Sequence, residues 1–114
     1  MENTLPARFF KTESGNEPVR EWLKELPAQD RKTIGEDIRT VQIGWPLGMP
    51  LVDHIEGDIW EVRSKLGNRI ARVLFALADG ELILLHGFIK KTNKTPDQDK
   101  DLAKQRLKAT RRAK

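Results

Sequence analysis

The chain has 114 residues, no cysteine and a formal net charge of +4, with 38% hydrophobic and 33% charged residues. This length fits a single domain over residues 1–114, and the lack of cysteine excludes disulfides, thiol nucleophiles and cysteine metal sites. No apolar run is long enough to span a membrane and the first residues lack a signal-peptide pattern, so we expect a cytoplasmic protein.

The positive charge is concentrated near the C-terminus. Residues 90–114 contain ten Lys or Arg and three Asp, whereas the rest of the chain contains 11 basic and 14 acidic side chains. A concentrated basic segment favours a polyanionic partner, most often nucleic acid. It is equally typical of a solubilising tail, and charge alone leaves both interpretations open.

The first half of the chain predicts a short strand followed by two helices. Residues 7–11 have the pattern of a strand, and apolar residues between positions 19 and 26 recur at helical spacing after Asn16, a candidate N-cap. A second apolar stripe at residues 34–41 predicts a helix that begins near Asp30 and ends at a glycine.

The second half predicts an antiparallel meander and a last helix. Alternating or apolar patterns indicate three strands, at residues 58–65, 69–78 and 81–91. Asp79-Gly80 is a hairpin signal, and Thr95 with Gln98 forms a capping box that predicts a helix from Pro96. The predicted order is β-α-α-β-β-β-α, an α+β fold with two helices packed on one sheet face and a basic C-terminal helix.

Tight hairpins predict which side chains share a face of this sheet. Counting from Asp79-Gly80 pairs Leu74 with Leu85 and Arg72 with Gly87, and a turn at Gly67-Asn68 pairs Arg63 with Arg72. One face then forms a core and carries Trp60, Val62, Val73, Phe75, Leu84 and Phe88, together with His86 as a structural histidine at its margin. The other face carries Glu61, Arg63, Ile70, Arg72, Gly87 and Lys91.

The second face has the composition of an anion site. Two arginines opposite each other repel, and a glycine beside them leaves room for the backbone of a ligand. Adjacent strand residues point to opposite faces, so the count places Lys91 on the arginine face and Lys90 at its side. Alternatively, Glu61 neutralises Arg63 and the face is an ordinary solvated surface.

His54 and the acidic residues around it are weaker candidates. His54 lies in a predicted loop before the second strand, where it either acts as an acid or base or is a surface histidine. Asp53, Glu56 and Asp58 match no metal-ligand spacing, so we expect no metal site. The sequence contains no glycine-rich nucleotide-binding motif, so we expect no cofactor.

Three segments carry a resemblance to a known family. Residues 57–65 read GDIWEVRSK, residues 69–77 read RIARVLFAL and residues 87–96 read GFIKKTNKTP. With the predicted order of elements, they resemble RelE/ParE-superfamily toxins of type II toxin–antitoxin systems, in particular the HigB-like, phage-derived branch. The resemblance covers about Ala7 to Leu107 and implies a small RelE-like fold.

The resemblance implies a ribosome-dependent mRNA endonuclease that cuts the message in the A site of the small ribosomal subunit and so inhibits translation. Arg63, Arg72, Lys91 and Lys90 match the basic positions of the family. They imply metal-independent cleavage, in which a ribose 2′-hydroxyl attacks the neighbouring phosphate and fixed cations stabilise the charge that develops.

The resemblance leaves the general acid and base open. The chain has no tyrosine, which some RelE relatives place near the position of the base, and no histidine near its C-terminus, where some HigB relatives carry one. His54, Glu61 and Lys94 are the alternatives, and RNA contacts are expected from Lys65, Arg69, Lys94, Lys104 and Lys108.

The resemblance also implies a cognate helix-turn-helix antitoxin as partner. That partner, or the chain's own C-terminal helix, would cover Leu74, Ile83 and Leu85. Two other functions remain open: a ParE-like inhibitor of DNA gyrase on the same fold, and a non-catalytic, phage-derived nucleic-acid-binding protein.

Overall fold

The computed structural model describes residues 4–90 and 94–112, with Lys90 described by its backbone only. The described residues form five strands and three helices: β1 (Ala7–Phe9), α1 (Pro18–Lys24), α2 (Ala28–Gly44), β2 (Val52–Glu56), β3 (Ile59–Leu66), β4 (Arg69–Ala78), β5 (Glu81–Lys90) and α3 (Asp97–Arg112). None of these helices combines the length and the apolar character that crossing a membrane requires.

The strands form one mixed sheet in the order β1-β5-β4-β3-β2. Strands β2 to β5 make an antiparallel meander, and β1 adds to β5 in parallel. The predicted α+β class is confirmed, but β2 is a strand that the sequence did not indicate. The expected loop position of His54 was therefore wrong: residues 52–56 pair with β3, and Val52 at the start of β2 is buried.

Helices α1 and α2 cover one face of the sheet. The predicted stripe of α2 is confirmed, because Ile34, Ile38 and Val41 are buried against Val62, Val73 and other residues of that face. Helix α1 begins at Pro18, and the residue before it makes no side-chain capping bond. Asn16 is therefore not the N-cap; its backbone amide donates to the Thr12 hydroxyl in the preceding turn.

Helix α3 covers the opposite face. Ala103 and Leu107 of α3 are buried in a second apolar cluster with Leu74, Ile83 and Leu85. The chain's own C-terminal helix therefore covers these three residues, as the second of the two alternatives expected. Both faces of the sheet are buried, and the face that carries the arginines is not an open surface.

The register of β3 and β4 is as predicted. The register of β4 and β5 is as predicted from the Asp79-Gly80 turn back to Phe75, and from Leu74 it is shifted by one residue. Arg63 pairs with Arg72, and Ala76 pairs with Ile83, both as counted from the turns. A β-bulge on β5 then places two residues, Leu85 and His86, against Leu74. The predicted pairs of Leu74 with Leu85 and Arg72 with Gly87 were therefore wrong.

An arginine of α3 stabilises this bulge. Arg106 donates to the carbonyl oxygen of Leu85 at 2.7 Å, and its guanidinium lies 5.5 Å from the centroid of the Phe10 ring. Burial lowers the pKa of the Arg106 guanidinium. The carbonyl at the bulge is thus bonded by a residue 21 positions away, a contact that the hairpin signal does not encode.

The shift changes the faces of three residues in β5. Gly87 now pairs with Val73 and faces α1, where a Cβ atom would clash with the indole of Trp22. The glycine therefore makes room for Trp22 and not for a ligand. Phe88 pairs with Arg72 and packs on the α3 side, so its predicted place in the α1–α2 core was wrong.

His86 also lies on the α3 side, and not on the core face where it was expected. Its Nε2 is 2.7 Å from Oδ1 of Asp99, in the first turn of α3, and its ring stacks on Phe88 at 5.3 Å. The histidine is hydrogen-bonded, as expected of a structural residue. Its bond joins β5 to the start of α3.

Candidate functional site

A buried carboxylate lies between the two arginines of β3 and β4. Glu61 is 0% exposed, and its Oε2 accepts hydrogen bonds from Arg63 at 3.0 Å and from Arg72 at 3.3 Å. Arg63 and Arg72 are direct cross-strand partners, so their repulsion is offset by the charge of Glu61. Glu61 therefore neutralises Arg63, as the alternative expected, and it also neutralises Arg72. The ordinary solvated surface that the alternative assumed was wrong, because Glu61 and Arg72 are buried.

Thr95 connects this cluster to α3. Its hydroxyl donates to Oε1 of Glu61 at 2.6 Å and accepts from Arg72 at 3.4 Å. Helix α3 begins at Asp97, one residue later than predicted, and Pro96 supplies the carbonyl for its first amide bonds. The predicted N-cap role of Thr95 was wrong, because Thr95 lies before the cap and its hydroxyl is used in the charged cluster.

The two arginines differ in their access to solvent. Arg72 is 0% exposed, so a phosphate cannot reach its guanidinium while α3 is in place. The Arg63 side chain is 21% exposed and also lies 4.0 Å from a carboxylate oxygen of Asp53. Arg63 is thus the accessible cation of the cluster. Glu61, which is buried with Arg72, holds the Arg63 guanidinium through a hydrogen bond.

Arg63 borders an open groove of about 410 Å³ between β2, β3 and the start of α3. We call this the Arg63 groove, and it is lined by Asp53, His54, Ile55, Arg63, Lys94, Thr95, Pro96, Asp97 and Lys100. It brings together three residues predicted from the sequence: Arg63, His54 and Lys94. Two carboxylates share its walls, so the groove is mixed in charge and not uniformly basic.

His54 lies at the rim of this groove. It pairs with Trp60, its ring stacks on the indole at 4.5 Å, and its Nε2 lies 2.8 Å from the carbonyl oxygen of Gly57. Directly paired residues share a face, so the His54 ring lies on the opposite face from Glu61. The backbone of His54, and not its ring, therefore borders the Arg63 groove.

The other predicted RNA contacts are dispersed. Lys65 is exposed two positions beyond Arg63 on the same face of β3, and Lys108 is exposed on α3. Arg69 instead donates to Asp30 of α2 at 2.9 Å, on the other side of the sheet. The structure therefore separates Arg69 from the Arg63 groove.

Lys104 forms an ion pair with β2. Its Nζ lies 2.6 Å from Oε2 of Glu56, and Lys100 approaches the same carboxylate at 3.7 Å. The hydrogen bond to Lys104 lowers the pKa of Glu56, and the same bond raises the pKa of Lys104. These contacts fasten α3 to the β2–β3 hairpin beside the groove.

The bulge also affects the choice between the two C-terminal strand lysines. Lys90 pairs with Ile70 in the observed register. The count that placed Lys91 on the face of Arg72 therefore no longer holds, because one extra residue reverses the alternation. Lys91 itself lies outside the described residues.

The described residues do not gather a metal-ligand set. Within 4–90 and 94–112 there is no group of three or more His, Asp or Glu side chains placed to hold a metal ion. The site was only partly predictable. Thr95 and Glu61 are 34 positions apart, and no local pattern marks their contact.

A mixed five-stranded sheet with two helices on one face and a third on the other is a small α+β architecture of the RelE-like type. A family model described as Phage derived protein Gp49-like (DUF891) matches residues 21–108. The chain therefore belongs to the Gp49-like family, which is phage-derived and toxin-like. A search of curated proteins returned no match.

Proposed function

We propose that the protein is the HigB-like toxin of a type II toxin–antitoxin system and cleaves mRNA in the A site of the ribosome. Membership of a toxin-like family supports the toxin part of this proposal. The observation that carries the nuclease part is a partly exposed arginine, Arg63, fixed by a buried carboxylate at the edge of a groove.

The proposed reaction needs charge stabilisation and two proton transfers. The 2′-oxygen of a ribose bonds to the adjacent phosphorus and loses its proton, while the bond from phosphorus to the 5′-oxygen breaks and that oxygen gains a proton. Negative charge builds on the phosphorane, and an arginine fork matches two of its oxygens. Arg63 takes this role, with Lys94 and Lys100 along the groove wall.

Arg72 acts as a positioning residue in this proposal. It is buried with Glu61, and the bond from Glu61 to the Arg63 Nε limits the rotamers of the Arg63 side chain. A fixed guanidinium stabilises the transition state without reorganisation, which is the main source of electrostatic catalysis. Glu61 is fully buried and accepts hydrogen bonds from three side chains, Arg63, Arg72 and Thr95, so it serves better to position Arg63 than to act as a base.

The proton transfers are assigned to lysines near the C-terminal end of the sheet sequence, as the resemblance implies. Lys91 or Lys90 supplies the general base or protonates the leaving oxygen, with Lys94, which lines the groove, as the alternative. His54 is not assigned this role, because its ring packs on Trp60 on the other face of the sheet. The antitoxin is a helix-turn-helix protein, and the ribosome supplies the bound message.

Translating ribosomes programmed with a defined message test this proposal. We expect the wild-type protein to cut the message at the A-site codon, and Arg63→Gln to reduce the cleavage rate about 100-fold, the typical cost of one lost transition-state contact. Arg39→Gln, at an exposed arginine of α2, removes the same charge and serves as the matched control.

Three outcomes would contradict the proposal. Equal cleavage by Arg63→Gln and Arg39→Gln, with both variants folded, would remove Arg63 from the site. Inhibition of DNA gyrase without cuts in the message would assign the ParE-type activity instead. Unchanged growth of cells after induction of the wild-type protein would exclude both toxin functions.

A further inference from the structure

A second groove lies at the other end of α3. It measures about 580 Å³ and is lined by Arg8, Phe10, Lys11, Thr12, Glu13, Ala109, Thr110 and Arg112. We call it the β1–α3 groove. Helix α3 has 16 residues and is about 24 Å long at 1.5 Å per residue, so this groove is well separated from the Arg63 groove.

The β1–α3 groove carries three cations and one carboxylate. Arg8 forms an ion pair with Glu81 at 2.6 Å. Lys11 and Arg112 are exposed, and neither has an ion pair within residues 4–90 and 94–112. Two cations far apart in the sequence thus meet at one groove without an acidic partner in the described part of the chain.

The opposite flank of α3 provides a contrast. There, Lys104 and Arg111 each lie 2.6 Å from a carboxylate of the β2–β3 hairpin, Glu56 and Asp58 respectively. The fold therefore neutralises Lys104 and Arg111 on one flank and leaves Lys11 and Arg112 at the β1–α3 groove available to an external anion.

Stabilisation of the helix does not account for this arrangement. Cations in the last turn interact favourably with the negative end of the helix dipole, which explains Arg112. It does not explain Lys11, which follows β1 and reaches the same groove from outside the helix.

The lining also indicates the class of ligand. Phe10, the aromatic residue of the lining, is 7% exposed, so its ring is not open to a partner as the kind of aromatic anchor that dominates protein–protein contacts. Phosphate groups need cations and an open path rather than an apolar pocket. Lys108 is an exposed cation of α3 and directly precedes Ala109, the first residue of that helix in the groove lining.

We infer that the β1–α3 groove binds the phosphate backbone of RNA through Lys11 and Arg112. This contact is sequence-independent and is separate from the Arg63 groove. It concerns binding alone, so it holds whether or not the protein cleaves RNA.

Binding of a short fluorescein-labelled single-stranded RNA, followed by fluorescence anisotropy over a range of salt concentrations, tests this inference. The test variant is Lys11→Gln/Arg112→Gln. The matched control is Lys32→Gln/Arg39→Gln, which removes one lysine and one arginine from exposed positions of α2. Thermal unfolding confirms that both variants are folded.

We expect the slope of log affinity against log salt to decrease by about 1.4 in the test variant, or about 0.7 for each lost phosphate contact. The control should retain the wild-type slope. Equal slopes in the test variant and the control would overturn the inference, as would a wild-type protein that binds no RNA.

Two further measurements separate this inference from its alternatives. Arg63→Gln should keep the binding slope associated with the β1–α3 groove even if it loses cleavage. A failure of the RNA-binding inference can therefore be distinguished from a failure of the proposed cleavage at the Arg63 groove. Poly-glutamate serves as the competitor. If it displaces the RNA from the wild-type protein, and if its own affinity falls in the test variant as much as that of the RNA does, the groove binds acidic protein segments and the assignment to RNA is wrong.

Discussion

Replacing Arg72 by methionine should destabilise the protein strongly. Arg72 and Glu61 are both 0% exposed and lie 3.3 Å apart. Methionine fills a similar volume but leaves a buried carboxylate without one of its two cations. Removing one partner of a buried ion pair typically costs about 3–5 kcal/mol, because the remaining charge is uncompensated.

The structure places the expected cost at the lower end of that range. Glu61 would retain its bonds to Arg63 at 3.0 Å and to Thr95 at 2.6 Å. We therefore expect a loss of about 3 kcal/mol in the free energy of unfolding, which corresponds to a decrease of about 12 °C in Tm for a chain of this size. Urea and thermal unfolding followed by circular dichroism measure both quantities.

A second substitution distinguishes a charge effect from a packing effect. Adding Glu61→Gln to Arg72→Met removes the uncompensated charge, so the double variant should recover about 1–3 kcal/mol relative to Arg72→Met alone. Lys32→Met, at an exposed position of α2, should change stability by less than about 0.5 kcal/mol. A cost below about 1 kcal/mol for Arg72→Met, with no recovery in the double variant, would refute the argument that the buried pair holds the site together.

Three further predictions concern the packing around the site. Gly87→Ala should cost about 1–3 kcal/mol in urea unfolding, because the added methyl group clashes with Trp22; an unchanged midpoint would contradict the observed register. Arg106→Gln should cost about 1–3 kcal/mol in the same assay, because the carbonyl at the bulge loses its donor; a neutral result would mean that the bulge does not depend on that bond. Lys104→Gln should lower Tm relative to wild type near neutral pH. The pKa of Glu56 is lowered below its ordinary 4.5 and that of Lys104 is raised above 10.5. The Tm difference should therefore vanish as the pH falls through the lowered pKa or rises through the raised one; a Tm difference that is constant with pH would argue against the pair.

The sequence predicted most of the fold because its signals are local. The apolar stripe of α2, the Asp79-Gly80 turn and the strand at residues 58–65 are each marked within a short segment, and the structure confirms the three elements. The half-buried character expected of that strand was wrong, because Glu61 and Ser64 are buried as well. Strand β2 was missed because its five residues include the polar Asp53 and His54, and its pairing with β3 is visible only in the folded sheet.

The site was less predictable because its contacts are distant in the sequence. The cross-strand pair of Arg63 and Arg72 followed from a turn count and is confirmed. The carbonyl of Leu85 at the bulge accepts a hydrogen bond from an arginine of α3, and the Thr95 hydroxyl donates to Glu61. A single extra residue in β5 was enough to change the faces of Gly87 and the residues beside it, since the alternation of a strand has a period of two.

The chemistry of the cut ends tests the proposed function most directly. Attack by the 2′-hydroxyl forms a 2′,3′-cyclic phosphate and a 5′-hydroxyl, so a message with a 2′-deoxyribose at the cleaved position should remain intact on translating ribosomes. We predict cyclic phosphate ends from the wild-type protein and no cleavage of the deoxy-substituted message. Cleavage of that message, or products with 5′-phosphate ends, would contradict the proposed reaction at Arg63.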